Sequence, residues 1–424
     1  MEANLDTFCS LCNDLSEKQK KLLPLCAAEN AVSPFSKIPL DSFIQEKYIM
    51  GGVMVYDDNN NFIEGKDLFS FYEFLNNQCQ RLFHCLYADA RTLSGVNAVM
   101  VLLMSLFKEG DTIMITSEDS GGHGSMPLIC HRLGIKTLYL PFDYELMDYD
   151  YDRANLLLEE KSIDGILICP SDIIFQPHLY NFKLPEHCVL IYDATQTLGL
   201  IATNENINPF NWYSLSDKFI LMGATHKTLP GPTCGLIMTK NLELAARFDT
   251  IINPDYLRNV QLHQILSLIL TLMEIESFGH EYNKNIIQNV NLLGGRLKDC
   301  GMQVIQALSR ENFSETHQLW LHMNEKETKT YINRCEDLGI TLNARYKKLY
   351  HGSGIRLGIQ EITRYGWGHN EIDDLSEILW ELSQPDCHTT ILKQKIQLLT
   401  EKKHMKYTFD ENKYQKIYNA LHHS

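Results

Sequence analysis

Residues 223–232 read Gly-Ala-Thr-His-Lys-Thr-Leu-Pro-Gly-Pro and place Lys227 between two apolar runs. The runs Phe219–Met222 and Gly235–Met238 predict short buried strands, and the pair Gly231-Pro232 predicts a turn. A lysine held in a loop between buried strands is partly desolvated, so its amine can lose a proton and attack a carbonyl group. Taken alone, a loop lysine is more often an ordinary surface residue of a hairpin. The rest of the chain must decide between a reactive lysine and a surface lysine.

Length and composition are those of a globular protein that handles small molecules. A chain of 424 residues is long enough for two domains. Its hydrophobic fraction of 44% and charged fraction of 21% are typical of globular enzymes and argue against disorder or a coiled coil. The net charge of -15 argues against binding of nucleic acid or of an anionic membrane, because either partner requires a basic surface.

The sequence predicts a cytoplasmic protein. No stretch approaches the roughly 18 apolar residues of a membrane span, and Met1–Ser10 carries Glu2 and Asp6 instead of a basic segment followed by an apolar one. The twelve cysteines are scattered, and many lie in apolar runs, as Cys130 and Cys169 do, where cysteine behaves as a small hydrophobe. Such cysteines are typical of a reducing compartment.

No metal site is expected. Cys9 and Cys12 form a CxxC motif, but no second pair stands at the spacing of a zinc site. We therefore interpret the cysteines as structural residues.

Short apolar strands alternate with helices through the middle of the chain. The predicted strands are Thr112–Thr116, Thr137–Leu140, Gly165–Cys169 and Cys188–Asp193, and the predicted helices are Ser94–Phe107, Met126–Leu133 and Tyr151–Lys161. This alternation predicts an α/β fold with a mostly parallel sheet that helices cover on both faces. Ligands of such sheets bind at the carboxyl ends of the strands, where Ser171 and Asp193 fall.

The chain is expected to contain four parts. The predicted parts are an N-terminal helix and arm at 1–45, a large domain at 46–280, a small C-terminal α+β domain at 281–384 and a charged helical tail at 385–424. A long apolar helix at 255–279 and a separate helix at 286–300 are expected near the boundary of the two domains. The Lys-rich tail is expected to be a solvated appendage.

Two glycine-containing segments have features of a ligand site. Ser94-Gly95-Val96-Asn97 opens a predicted helix, and free N–H groups with a hydroxyl at a helix start can bind a phosphate. The alternative is that Ser94 is an ordinary N-cap. The glycines of Ser120–Gly124 let the backbone approach a ligand closely, and His123 among them can either stack on an aromatic ring or serve only the structure of the loop.

Two charged residues stand where a partner of opposite charge is expected. Asp193 ends an otherwise apolar strand, so its carboxylate at the edge of a buried layer needs a cationic partner. Arg356 lies within Ser353–Gly358, a short predicted strand flanked by glycines. An arginine in that position can bind a carboxylate through two parallel hydrogen bonds.

Together, these segments resemble the pyridoxal-phosphate enzymes of the aspartate aminotransferase fold, also called fold type I, and most closely serine hydroxymethyltransferase. The resemblance covers residues 20–383. Its strongest matches are Ala27-Ala28-Glu29-Asn30, Gly121-Gly122-His123, the strand end at Asp193, Thr225-His226-Lys227-Thr228 with Gly231-Pro232, and Ser353–Gly358 followed by Ile362-Thr363-Arg364. It implies a large domain with a mostly parallel, seven-stranded type of sheet covered by helices, and a smaller C-terminal α+β domain.

The resemblance also implies a role for each candidate residue. Lys227 would hold pyridoxal 5′-phosphate covalently, and Asp193 would pair with the ring nitrogen and keep it protonated, which makes the ring an electron sink. His123 would stack on the ring. The remaining cofactor contacts would come from Ser94, Gly95 and Val96 near the phosphate and from Ser171, Gln196, Thr225 and His226.

Two further residues would serve the substrate. Arg356 would bind the α-carboxylate of an amino acid, and Tyr48 would be a catalytic and substrate-binding residue that reaches the site of the neighbouring subunit. A shared site of this kind implies a homodimer or a larger oligomer. The implied chemistry is cleavage and formation of the Cα–Cβ bond of β-hydroxy amino acids, with small amino acids and aldehydes as substrates.

Several positions depart from the family pattern around the second substrate. Met50 stands where the family has a glutamate that moves protons in the reaction with the folate carrier, and a thioether cannot do so. Gln196 replaces a histidine and cannot titrate, and Thr233 replaces an arginine. The segment Asn343–Gly352 is basic and shorter than the family loop near bound folate. These departures argue against tetrahydrofolate as a cofactor.

Three interpretations remain open. The first is a folate-independent threonine aldolase, or a transaldolase that passes the glycyl unit of threonine to another aldehyde. The second is a true serine hydroxymethyltransferase that uses tetrahydrofolate, with Glu46 or Glu64 in place of the missing glutamate. The third is another reaction of this fold, such as transamination, or a catalytically silent protein that binds the cofactor. A silent protein has no use for Lys227, Asp193 and Arg356 together.

Overall fold

The structure is a computed structural model that describes residues 2–56, 62–212, 217–308 and 310–422. Its internal contacts divide the chain into two compact units. The large unit consists of Ala28–Lys284, Ala307–Ser309 and Tyr407–Ser424, and the small unit consists of Met1–Ala27, Asn285–Gln306 and Arg310–Lys406.

A seven-stranded sheet forms the centre of the large unit. Its strands are β1 (Tyr87–Thr92), β2 (Thr112–Ile115), β3 (Lys136–Tyr139), β4 (Gly165–Ile168), β5 (Val189–Asp193), β6 (Phe219–His226) and β7 (Pro230–Thr239). Their spatial order is β1-β7-β6-β5-β4-β2-β3, with β7 antiparallel to both neighbours and every other pair parallel. The predicted α/β fold with a mostly parallel sheet is confirmed.

Alternate residues of the inner strands enter two separate hydrophobic cores. In β5, Leu190 and Tyr192 pack into one core, whereas Val189 and Ile191 pack into the other. Successive side chains of a strand point to opposite faces, so both faces of the sheet are covered. A nearly continuous apolar run is the pattern of such a strand, and the only charged residue of β5 is its last, Asp193.

Helices supply the outer layers of both cores. The helices of the large unit are Pro34–Lys37, Gly65–Phe83, Gly95–Leu106, Ser125–Arg132, Tyr151–Glu160, Leu198–Ala202, Leu242–Thr250 and Glu411–His422, with 3-10 turns at Ile38–Asp41, Phe43–Glu46, Leu179–Asn181 and Pro209–Asn211 and a π-helical turn at Ile251–Tyr256. A short antiparallel pair joins Phe142–Asp143 and Asp148–Tyr149. Across the described ranges, none of the helices is both long enough and apolar enough to cross a membrane.

The small unit is built on a three-stranded antiparallel sheet. Its strands are β8 (Gln318–His322), β9 (Asn343–Arg345) and β10 (Gly354–Gly358), in the order β8-β10-β9. Its helices are Glu2–Lys21, Glu325–Leu338, Gln360–Arg364, His369–Ser383 and Thr389–Thr400, with a 3-10 turn at Lys348–Tyr350 and a parallel pair of Leu23–Pro24 and Ile340–Thr341. Ile355 and Leu357 pack into the core of the unit, so Arg356 between them points to the opposite face.

One long helix replaces two predicted ones. The apolar pattern predicted helices at 255–279 and 286–300, but a single helix spans Leu262–Asp299. Residues 280–285 read His-Glu-Tyr-Asn-Lys-Asn, which interrupts the apolar pattern without introducing a proline or glycine that would break the helix. The helix begins later than predicted because Ile251–Tyr256 forms the π-helical turn.

The prediction that the tail is a solvated appendage is wrong, because both of its helices are packed. Helix Thr389–Thr400 buries Leu392 in the core of the small unit. Helix Glu411–His422 packs Ile417 against a small core around Phe35 in the large unit. Apolar residues at helical spacing outweigh the lysines of this segment.

The two units also cross the predicted domain boundaries. The chain changes unit after Lys406, not near 385, and residues 1–27 belong to the small unit instead of forming a separate arm with residues up to 45. Long-range packing of this kind leaves no local mark in composition, so the sequence could not reveal it.

Candidate functional site

Lys227 lies in the tight connection between β6 and β7. His226 ends β6 and pairs with Pro230 at the start of β7, and Lys227 is half-buried between them. The backbone carbonyl of Lys227 accepts a hydrogen bond from Asn30 Nδ2 at 2.5 Å, and the same amide donates to the hydroxyl of Tyr282 at 2.9 Å. The predicted position of the lysine between two buried strands is confirmed, and these contacts fix its backbone.

The residue after the lysine ties this connection to the segment that follows β5. The buried hydroxyl of Thr228 donates to the carbonyl of Gln196 at 3.0 Å and accepts the N–H of Gly199 at 3.1 Å. A Cβ added to Gly199 would lie 2.2 Å from the carbonyl oxygen of Thr228. Close backbone approach therefore requires glycine here, and Gln196 lies directly beside the lysine loop.

Asp193 is the last residue of β5 and is only 7% exposed. Its Oδ1 accepts the backbone N–H of Thr195 at 2.9 Å, and its Oδ2 accepts the thiol of Cys169 at 3.0 Å. Among the residues that the structure describes, no lysine, arginine or histidine forms an ion pair with this carboxylate. A buried charge that has only neutral donors favours a cationic ligand beside it.

The charge of Lys227 acts on the same end of the sheet. Burial and the Asp193 carboxylate raise the pKa of the Cys169 thiol well above its usual value, while the Lys227 ammonium lowers it. Burial, and then the charge of Lys227, lower the pKa of His226 to about 4. Lys227, His226, Asp193 and Cys169 thus form one electrostatic cluster in which His226 is neutral at neutral pH.

The helix Gly95–Leu106 begins beside this cluster. The hydroxyl of Ser94 accepts the N–H of the third helical residue at 3.2 Å, so Ser94 is the N-cap. A Cβ on Gly95 would lie 3.3 Å from Oγ1 of Thr195, which follows Asp193 by two residues. The first-turn N–H groups of Gly95 and Val96 have no partner within a helix, and the positive end of the helix dipole favours an anion here.

The loop that carries His123 is anchored to the end of β4. The N–H of His123 donates to the carbonyl of Cys169 at 3.0 Å, and the N–H of Ser171 donates to the carbonyl of Gly121 at 2.7 Å. A Cβ on Gly122 would lie 2.3 Å from a backbone carbonyl oxygen, so this loop requires glycine. The structure therefore brings His123 and Ser171 to the strand end that adjoins Asp193.

Thr225 lies in the interior of the β6–β7 hairpin. Its buried hydroxyl donates to the carbonyl of Pro232 at 2.5 Å and accepts the N–H of Cys234 at 3.3 Å. These contacts stabilise the hairpin two residues before Lys227. Thr225 is a predicted cofactor contact, and its hydroxyl is hydrogen-bonded to the backbone of the hairpin.

Tyr48 belongs to a different set of contacts in the large unit. Its ring stacks on that of Phe62, with the ring centroids 4.6 Å apart. Nothing in the described contacts of the chain joins Tyr48 to Lys227. The structure of a single chain therefore leaves Tyr48 outside the cluster around the lysine.

A buried ion network holds the segment that follows Tyr48. The guanidinium of Arg91 contacts the carboxylates of Asp89 at 2.5 Å and Asp249 at 2.9 Å, and it donates to the carbonyl of Gly51 at 2.7 Å. Oδ1 of Asp249 also accepts the N–H of Val53 at 2.9 Å. Charged partners that are fully buried fix this backbone because any movement would leave a charge unpaired.

Arg356 lies at the centre of β10 in the small unit and is 3% exposed. It stands opposite Trp320 on one neighbouring strand and opposite Asn343 on the other. Its Nη2 donates to Oδ1 of Asn343 at 2.8 Å. The guanidinium is therefore buried and is hydrogen-bonded to Asn343 at Nη2.

Sequence reasoning missed three of the side chains that support the candidate residues. The apolar surroundings of Cys169 predict a small hydrophobe, although it closes a predicted strand at the carboxyl edge of the sheet, level with Asp193. Asn343 was assigned to a basic loop, because a three-residue edge strand is too short to show alternation. Nothing in the sequence indicates the ion network of Arg91, because buried ion pairs cannot be recognised before the fold is known.

Comparisons with known proteins point to one protein family. The family model for serine hydroxymethyltransferase matches residues 3–379. A serine hydroxymethyltransferase from Thermoplasma volcanium is 28% identical over 402 residues, which cover 91% of this chain and 92% of that protein. A fluorothreonine transaldolase from Streptantibioticus cattleyicolor is 27% identical over 402 residues, which cover 92% of this chain and 62% of that protein.

A solved structure has the same fold along nearly the whole chain. The crystal structure of L-threonine transaldolase from Pseudomonas fluorescens matches with a TM-score of 0.90, covering 99% of this chain and 98% of that one. The two sequences are 22% identical, so the match concerns the fold.

The depressed pKa of His226 predicts a specific loss of stability in acid. The unfolded chain protonates this histidine near its usual pKa of 6.5, whereas the folded protein protonates it only near pH 4. The unfolded state therefore binds more protons between these values, and the free energy of unfolding falls by up to about 3 kcal/mol as the pH decreases through this window. Urea unfolding without added cofactor measures this slope.

We expect His226→Gln to remove this component of the acid slope, because glutamine does not titrate. His187→Gln is the matched control, since His187 is exposed in the same unit. Equal slopes in wild type and His226→Gln between pH 6.5 and 4 would contradict the assignment of a buried, neutral imidazole.

Proposed function

This chain belongs to the serine hydroxymethyltransferase family, and we propose that it makes and breaks the Cα–Cβ bond of β-hydroxy amino acids with pyridoxal 5′-phosphate held covalently on Lys227. Members of this family are pyridoxal-phosphate-dependent enzymes. The observation that carries the proposal is the buried Asp193 carboxylate, which shares an electrostatic cluster with Lys227. We further propose that the enzyme acts on small amino acids and aldehydes in the cytoplasm.

The residues of the large unit fit this cofactor in charge and in chemistry. Lys227 supplies a half-buried amine, and Asp193 supplies a buried anion suited to a protonated ring nitrogen. The helix start at Ser94 supplies backbone N–H groups suited to a phosphate. When bound, pyridoxal phosphate supplies an electron-withdrawing ring that weakens a bond at Cα of the attached amino acid.

Arg356 is proposed to bind the α-carboxylate of the substrate. Its guanidinium is buried, and Asn343 holds one of its nitrogens at 2.8 Å. The planar guanidinium can bind a carboxylate through two parallel hydrogen bonds, and its burial restricts its motion before the substrate binds. Fixing the carboxylate restricts rotation about Cα and so decides which bond is presented for cleavage.

The residues near Tyr48 support chemistry without folate. Met50 cannot transfer a proton. The two glutamates on either side of it in sequence, Glu46 and Glu64, lie in different surroundings. Glu64 forms an ion pair with Lys47 at 3.0 Å, and Glu46 is exposed at the end of a 3-10 turn. Similarity to a transaldolase agrees with this proposal. A second candidate is a true serine hydroxymethyltransferase, as the relative from Thermoplasma volcanium is named.

An assay with threonine and serine distinguishes these functions. We expect glycine and acetaldehyde from threonine at a rate that tetrahydrofolate does not change, because no carboxylate stands at the position of Met50. Addition of a second aldehyde should yield a new β-hydroxy amino acid if the enzyme is a transaldolase. Formation of glycine from serine that depends on tetrahydrofolate would contradict this proposal. A keto acid or carbon dioxide as the product would indicate another reaction of the fold.

The surfaces of both units support the proposal of a homodimer. On the N-terminal helix of the small unit, Phe8 and Leu11 are each 64% exposed, and Leu5 and Leu15 are 61% and 58% exposed. In the large unit, Val55 and Ile63 are largely exposed near Tyr48 in sequence. Large apolar side chains that recur on one surface are typical of an interface.

We expect light scattering to give a mass of at least a dimer. Phe8→Glu introduces a charge into the apolar surface of the helix and should raise the dissociation constant by about tenfold or more. Leu398→Glu is the matched control, because Leu398 is equally exposed at 64% on the surface of helix Thr389–Thr400. A monomeric mass with full activity would refute the shared site.

A further inference from the structure

Cys169 connects three of the candidate site residues. It follows β4 directly and is 3% exposed. Its thiol donates to Oδ2 of Asp193 at 3.0 Å, and its carbonyl accepts the N–H of His123 at 3.0 Å. The charge of Lys227 also acts on the thiol. A side chain in this position can influence the carboxylate without touching a ligand itself.

The thiol is in the protonated form that a hydrogen-bond donor requires. Burial and the neighbouring Asp193 carboxylate raise the pKa of Cys169 well above its usual value, and this effect exceeds the opposing one of Lys227. A thiol is a weak donor toward a neutral acceptor. A hydrogen bond to a charged acceptor is stronger, and a carboxylate in a buried site is such an acceptor.

The carboxylate of Asp193 is held at both of its oxygens. The backbone N–H of Thr195 contacts Oδ1 and the thiol of Cys169 contacts Oδ2, so rotation of the carboxylate would break both hydrogen bonds. The backbone donor is fixed by the fold, which leaves the thiol as the side-chain component of this arrangement.

We propose that Cys169 is a positioning residue for Asp193: its thiol orients the carboxylate and stabilises its negative charge. The contact is a property of the protein alone. Its consequence for the cofactor rests on the proposed function, in which Asp193 holds the proton of the ring nitrogen. Cys169 itself transfers no proton and forms no bond with the ligand.

Two substitutions separate this role from simple filling of the core. Cys169 also packs among apolar neighbours, and a residue that only fills space would be replaced best by a hydrophobe of similar volume. Cys169→Val keeps a buried apolar side chain, which is one carbon atom larger, and removes the donor. Cys169→Ser keeps a donor and leaves a small cavity. The two roles therefore predict opposite rankings of these variants.

Infrared spectroscopy of the full-length protein tests the contact directly. The S–H stretch absorbs where other protein groups do not, so the wild-type spectrum minus that of Cys169→Val isolates one thiol. We expect its band at lower frequency than that of Cys188, a buried cysteine before β5 obtained in the same way from Cys188→Ala. Asp193→Asn should move the band up, because the acceptor loses its charge. Equal frequencies, or no response to Asp193→Asn, would overturn the proposal.

Titration with pyridoxal 5′-phosphate, followed by absorbance, tests the consequence. Cys169→Val should bind the cofactor roughly three to ten times more weakly than wild type, because a hydrogen bond to a charged group is lost. Cys169→Ser should stay within about twofold, since a hydroxyl is also a donor. Wild-type affinity in Cys169→Val would overturn the positioning role. If wild type itself binds no cofactor, the proposed function fails, while the infrared result still decides the contact.

Discussion

The burial of one negative charge is the constraint on which the candidate site depends. Asp193 ends a strand whose other residues are apolar, and its carboxylate is almost fully removed from water. Burying an unpaired carboxylate costs several kcal/mol, and hydrogen bonds from Thr195 and Cys169 offset only part of that cost. A cationic group bound beside Asp193 would offset more of it, so the site favours a ligand of that charge.

The order of the strands explains why distant parts of the sequence meet around this charge. β4, β5 and β6 are consecutive neighbours in the sheet and run parallel, so their carboxyl ends lie at one edge. Cys169 follows the first of these strands, Asp193 ends the second, and Lys227 follows the third. The helix that begins at Gly95 reaches the same edge through its contact with Thr195. The central sheet thus assembles the cluster.

Local patterns of the sequence revealed the features that depend on local chemistry. The apolar runs predicted the inner strands, and the strand ends predicted the places of Asp193 and Lys227, because strand alternation and glycine turns act over a few residues. The packing partners of the tail helices and the ion network of Arg91 depend on contacts between distant residues. Such contacts leave no periodic signal in the sequence. For the same reason, the sequence does not reveal the hydrogen bond from the thiol of Cys169 to Asp193.

Family membership and the site together define what the chain is expected to do. In the proposed function, Lys227 and Asp193 of the large unit hold the cofactor, whereas Met50 and Gln196 depart from the family pattern near the second substrate. This combination separates the question of the cofactor from the question of the substrate. In the proposed function, the cofactor decides the chemistry at Cα. The surroundings of the second substrate decide whether an aldehyde or folate reacts.

The identity of the lysine that binds the cofactor tests this account most directly. Borohydride reduction of the protein mixed with pyridoxal 5′-phosphate fixes the cofactor to the lysine that carries it, and peptide mass spectrometry then locates that lysine. We predict a modified peptide that contains Lys227, and loss of the modification together with the visible absorbance in Lys227→Ala. A cofactor fixed mainly to another lysine, such as the neighbouring Lys218 or Lys240, or unchanged absorbance in Lys227→Ala, would contradict the account.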